Sequence, residues 1–134
     1  MGKKYSCHKI SEGKTTGEAL VSKDDIMFYL INPETGVVIE PAHCLEGKSM
    51  SQKILIFPSG KGSSVVQADG LFQLMKRENT PKGMIIQYPE TVLVSSAIIM
   101  EIPMVDKVDP QFYEDVKDGD TVCINADEGF IEIL

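Results

Sequence analysis

With 134 residues, 43% of them hydrophobic and 25% charged, the chain has the size and composition of one ordinary globular domain with a real core, which excludes disorder. A formal charge of -7 excludes a nucleic-acid surface, whose affinity rests on clustered Lys and Arg. An anionic small molecule stays open as a ligand, because a local nest of N–H groups beside one lysine outweighs a distant net charge.

No repeat, low-complexity tract or linker divides residues 1–134, so a single domain is expected. Loose alternation over 5–10 predicts a strand; Gly13 and Gly17 punctuate the next turn, before a second short strand at 18–21. The apolar run 26–31 is too short for an independent helix and predicts a buried strand. Asn32 and Pro33 initiate a turn that Gly36 completes, and 37–40 follows as a strand stopped by Pro41. Residues 43–50 read as an irregular connection, and 53–57 as the strand that feeds a glycine-serine turn.

From Ser64 onward, Val65, Ala68, Leu71, Phe72 and Met75 fall on one face of an amphipathic helix that ends near Lys76 and Arg77. Gly70 weakens that helix. Pro81 and Gly83 reset the chain for a strand at 84–88. Residues 91–100 fit a short helix at 92–96 and then a strand toward Ile102. The acidic stretch 106–120 reads as a solvated face, and a terminal hairpin pairs 121–125 with 129–134 around Asp127, Glu128 and Gly129. The sum is a β-rich α/β domain.

Cys7, Cys44 and Cys123 form no C-x-x-C pair and are too scattered for a disulfide framework or a zinc site, so no metal is expected on this chain. They read as small hydrophobes in a reduced protein. No segment reaches the ~20 apolar residues of a transmembrane helix. The N-terminal stretch lacks the apolar core of a signal peptide, and the expectation is a soluble cytoplasmic protein.

Chemistry concentrates at Phe57-Pro58-Ser59-Gly60-Lys61-Gly62-Ser63-Ser64. An apolar strand stops at Pro58, a flexible turn follows, and a helix begins beside two serines. Such a turn exposes N–H groups at a helix start, where unsatisfied donors and the helix dipole hold anions. A serine there is most simply an N-cap. It is not part of a Walker loop, because Gly62 separates Lys61 from Ser63. Neither His8 nor His43 sits in a G-x-S-x-G elbow, which disfavours a serine hydrolase. A serine alkoxide can still act as a proton acceptor if N–H donors stabilise it and an electrophile, supplied by another polypeptide, activates the substrate.

Taken in order, Gly17-Glu18-Ala19-Leu20-Val21-Ser22, Asn32-Pro33 with Thr35-Gly36, His43 with Leu45-Glu46-Gly47-Lys48-Ser49, the Lys53 to Pro58 strand, Gly60-Lys61-Gly62-Ser63-Ser64, and Ala97 to Val105 containing Ile102-Pro103 form a pattern spanning nearly the whole chain. The pattern resembles the small, swivelling subunit of the aconitase-X family. The resemblance implies a swivelling β/β/α domain and a hydro-lyase subunit active only with its large subunit. In the archaeal branch it implies dehydration of (R)-5-phosphomevalonate to trans-anhydromevalonate 5-phosphate within the modified mevalonate pathway. Carried over residue by residue, it makes Ser63 the base that removes the proton next to the carboxylate, with Gly62 and Ser64 as neighbouring donors.

The resemblance also implies that a four-iron-four-sulfur cluster and its cysteines belong to the large subunit of a heterodimer. Aconitase itself carries a substrate-binding arginine after the two serines, where this chain has Val65; Lys61 or a basic group on the partner takes that part. Val66 and Gln67 stand where relatives often have glycine and serine. Two rival readings are a related hydro-lyase for another hydroxy acid, such as a hydroxyproline, and a non-catalytic anion-binding module. For His43 a structural hydrogen-bonding role is expected.

Overall fold

The computed structural model describes residues 2–134. They form eight strands and three α-helices: β1 (Lys3–Ser6), β2 (His8–Ser11), β3 (Lys14–Val21), β4 (Ile54–Phe57), α1 (Ser64–Lys76), β5 (Gly83–Ile86), α2 (Thr91–Ile99), β6 (Met104–Asp106), α3 (Pro110–Asp115), β7 (Thr121–Asn125) and β8 (Phe130–Ile133). The sheet runs β1-β8-β7-β3-β4-β5-β6-β2. Strand β3 joins its two halves. Residues 14–18 pair antiparallel with β7, and residues 19–21 pair parallel with β4. Strands β4, β5 and β6 continue in parallel, whereas β1, β8 and β2 pair antiparallel with their neighbours. This is a mixed, β-rich α/β fold, as the sequence predicts.

The central strands are buried on both faces, and their period of two splits the core. Leu55 and Phe57 pack with Met84, Ile86, Leu71, Leu74, Leu93 and Ala97 beneath α1 and α2. Ile54 and Ile56 face the other way, toward Ile85, Val105, Phe112, Val122 and Ile124 beneath α3. Helix α2 starts where both carboxylate oxygens of Glu90 accept from Val92 N–H and Leu93 N–H, each at 3.1 Å.

Several local expectations are corrected. The expected strand at 5–10 breaks at Cys7, whose N–H bonds the Gly129 carbonyl at 3.0 Å. Its two parts then go to opposite edges of the sheet, β1 beside β8 and β2 beside β6. The run 26–31 is buried but joins no ladder: Ile26 bridges Gly60, Phe28–Leu30 is a 3₁₀ turn, and Ile31 bridges Val38. Residues 37–40 make only isolated bridges, to Ile31, Ser49 and Glu46. Helix α2 runs on to Ile99, and the strand falls later, after Pro103.

The acidic stretch is not simply a solvated face, because Asp106, Phe112 and Val116 are buried and α3 forms within it. The phase of α1 also differs from expectation. Gln67, Gly70, Leu71 and Leu74 face inward, while Val65, Phe72 and Met75 are exposed, Val65 by 77%. Packing against the 3₁₀ turn sets this phase, and a tertiary contact of that kind overrides hydrophobic spacing. Among the described residues no helix is long and apolar enough to cross a membrane.

Candidate functional site

Strand β4 delivers the chain to the carboxyl edge of the parallel strands, the edge where open α/β sheets bind ligands. The turn that follows is braced on two sides. On one side, Ile26 N–H donates to the Ser59 carbonyl and Lys61 N–H donates to the Ile26 carbonyl, both at 2.9 Å. On the other, Tyr88 N–H reaches the Pro58 carbonyl at 2.8 Å, and the Ser59 hydroxyl donates to the Tyr88 carbonyl at 2.7 Å. A Cβ at position 60 would stand 2.6 Å from Leu93 Cδ1 and would collide with the Gln67 amide oxygen, so a larger residue there must displace both side chains.

Gly62 turns the chain with φ of +101°, a region that L side chains rarely adopt. Ser63 follows as the N-cap of α1. Its carbonyl accepts from Gln67 N–H at 3.0 Å, and its Oγ accepts from Val66 N–H at 3.4 Å. Both Ser63 and Ser64 are exposed. The N–H groups of Gly62, Ser63, Ser64 and Val65 make no hydrogen bond among the described residues. A hydroxyl therefore stands beside a row of free donors at the positive end of a thirteen-residue helix, an arrangement that stabilises an oxyanion or holds an anionic group.

Lys61 leaves the turn in another direction. Its Nζ lies 2.6 Å from Glu40 Oε2, and this hydrogen bond chiefly holds the ammonium above its usual pKa, with Asp25 and Asp24 adding to the effect. Glu40 is a partner that residue spacing does not reveal, because an irregular connection brings the two together. Gln67 was likewise missed as a member of the site: it reads as an interior helix position, yet its Nε2 donates to the Gly62 carbonyl at 3.0 Å.

Neither histidine hydrogen-bonds to Ser63 or Ser64 among the described residues. His8 Nδ1 pairs with Asp106 Oδ1 at 2.7 Å. His43 is buried, its Nδ1 accepting from Leu45 N–H at 3.0 Å and its Nε2 lying 2.9 Å from the Asp25 carbonyl, to which it donates. Asp24, His43 and Cys44 bring ligand-type atoms within 4.8 Å of one another. Both ring nitrogens are engaged, however, and Cys44 Sγ already accepts from Lys23 N–H at 3.4 Å. The Cys44 backbone N–H, first of several contacts, holds the Asp24 carboxyl below its usual pKa. The group is a brace for the segment that flanks Lys61.

The cysteines do not fit an iron-sulfur site, which needs several convergent thiolates. Cys7 is half-buried, Cys123 buried and Cys44 exposed. Burial, helped by Asp106, pushes the Cys7 thiol up to about 11.

A swivel domain of the aconitase superfamily is the class that this sheet and this serine turn define. The aconitase X swivel domain matches residues 4–133, and the chain belongs to that family. The phosphomevalonate dehydratase small subunit of Methanosarcina mazei is 45% identical over 132 residues, which cover 98% of this chain and 91% of that protein. Its counterpart in Archaeoglobus fulgidus is 42% identical over 132 residues, 98% of each chain. The crystal structure of Thermococcus kodakaraensis aconitase X in its holo form superposes with a TM-score of 0.90 at 40% identity, covering 99% of both chains.

Proposed function

We propose that this chain is the small subunit of a cytoplasmic hydro-lyase that dehydrates (R)-5-phosphomevalonate to trans-anhydromevalonate 5-phosphate, residues 1–134 acting as one swivelling domain. The Ser63 corner carries the reading: an exposed hydroxyl beside free N–H groups at the start of α1. The likeness to phosphomevalonate dehydratase small subunits over nearly the whole chain supports the substrate.

Ser63 Oγ, as the alkoxide, takes the proton next to the substrate carboxylate. The C–O bond to the tertiary hydroxyl breaks, leaving the double bond, and the departing hydroxide takes a proton back from the Ser63 hydroxyl, directly or through water, so that water leaves and the alkoxide is restored. The Val66 N–H that caps α1 through Oγ also stabilises negative charge on that oxygen, so cap and base are compatible roles. Gly62 and Ser64 offer N–H donors to the anionic substrate, and Lys61 adds a cation at the edge of the turn. A four-iron-four-sulfur cluster carried by the large subunit supplies the Lewis acid for the departing hydroxyl.

The heterodimer is supported by an exposed apolar row, Val65, Phe72 and Met75, that begins next to Ser64. The test is an anaerobic assay of this chain mixed with its cognate large subunit, following mevalonate 5-phosphate by phosphorus NMR. Anhydro product formed by the mixture and by neither subunit alone is the expected result. Turnover of a different hydroxy acid by a formed, loaded complex overturns the substrate; failure to form any complex overturns the enzyme reading.

A further inference from the structure

Gln67 Oε1 is a buried side-chain oxygen without a hydrogen-bond partner among the described residues, on a residue only 3% exposed. A buried acceptor left unsatisfied costs stability, and leucine would fill a similar volume without that cost. The one bond the side chain makes, Nε2 to the Gly62 carbonyl, about offsets that cost, so net stability does not account for an amide at this position. Its geometry does. The amide oxygen lies over Gly60, in the space that a side chain there would occupy, while Nε2 donates to the Gly62 carbonyl at 3.0 Å.

That carbonyl and the Ser63 N–H are opposite ends of one planar trans peptide. Drawing the carbonyl inward aims the Ser63 N–H outward, toward the open side where it has no partner. Gly62, free of a Cβ, would otherwise let this peptide rotate.

We propose that Gln67 is a positioning residue, whose amide locks the Gly62–Ser63 peptide so that the Ser63 N–H and hydroxyl face the substrate. The inference rests on the dehydratase reading. It concerns a side chain that never touches substrate and acts only through the turn.

The test uses Gln67→Leu and Gln67→Met in the complex with the large subunit, each assayed beside wild type. Both variants remove the donor and the orphaned oxygen together. The melting temperature is expected to hold or rise, and kcat per assembled complex to fall about tenfold or more while KM moves less than about threefold. In 15N-labelled subunit, the Ser63 amide resonance is expected to shift in both variants. A kcat within about twofold of wild type in either folded variant, or an unmoved Ser63 amide, overturns the proposal. An inactive wild-type complex sinks the dehydratase reading instead, and the amide resonance then still decides the geometric claim.

Discussion

Where α1 crosses the 3₁₀ turn, the Cα of Gly70 lies directly against the backbone of Phe28. A Cβ on Gly70 would stand 2.5 Å from the Phe28 carbonyl carbon and 2.6 Å from the Tyr29 nitrogen. Both are backbone atoms, and neither can swing aside. In an exposed helix interior, Gly→Ala gains about 1 kcal/mol. Here overpacking opposes that gain by about 1–3 kcal/mol or more. Gly70→Ala should therefore lower the melting temperature by several degrees. A rise in the melting temperature would show that the helix does not sit this close.

The same contact explains what the sequence conceals. Apolar spacing put Val65, Phe72 and Met75 in the core, and the helix itself formed where expected, Ser64–Lys76. Its rotation was set by Gly70 docking on a segment whose 3₁₀ turn has no sequence signature, so Gln67 went inward and the three apolar residues outward. Strands β4 and β5 were legible as short apolar runs bounded by turn residues, and the terminal hairpin from the turn residues between its strands. The serine turn was legible because glycine and serine after a strand have few other uses. Glu40 beside Lys61 and Gln67 beneath Gly62 are long-range or interior contacts, and spacing carries no trace of them.

Far from the turn, Tyr5 and Asp115 form a titrating pair. The Tyr5 hydroxyl donates to Asp115 Oδ2 at 2.6 Å and, ahead of Gln111 and Lys3, lowers the carboxyl to about 2. Burial, followed by the Asp115 bond, raises Tyr5 to about 12. Because the folded carboxyl titrates below its usual value, its contribution to stability is fully present above the unfolded pKa of 3.8 and disappears as pH falls through about 2. The tyrosine contribution is fully present below its unfolded pKa of 10.0 and is lost as pH rises through about 12. In Tyr5→Phe, the Asp115 carboxyl carbon should titrate measurably closer to 3.8 by NMR. An unchanged midpoint would assign the shift to Gln111 and Lys3 instead.

Lys61 and Glu40 give a kinetic prediction. If the ammonium at the edge of the turn steadies an anionic substrate, Lys61→Gln should raise KM about tenfold with kcat within about threefold, since it removes one charged contact made before and during the reaction. Glu40→Gln keeps the cation and removes the carboxylate 2.6 Å away that competes for it, so KM should fall. An unchanged KM in Lys61→Gln would leave anion binding to the backbone N–H groups and the partner.

The most direct measurement is turnover of mevalonate 5-phosphate by the complex assembled with Ser63→Ala. Alanine removes one oxygen at an exposed position and leaves β4, the Gly60 packing and the Gln67 bond to Gly62 in place, so the complex should still assemble, its melting temperature lowered by no more than a few degrees for the lost cap. Among the described residues the cap bond from Val66 is the one side-chain hydrogen bond that Ser63 loses, at 3.4 Å a weak one. The account predicts a fall in kcat of at least about a hundredfold, as expected for removing a general base. A Ser63→Ala complex that converts substrate at close to the wild-type rate would contradict it.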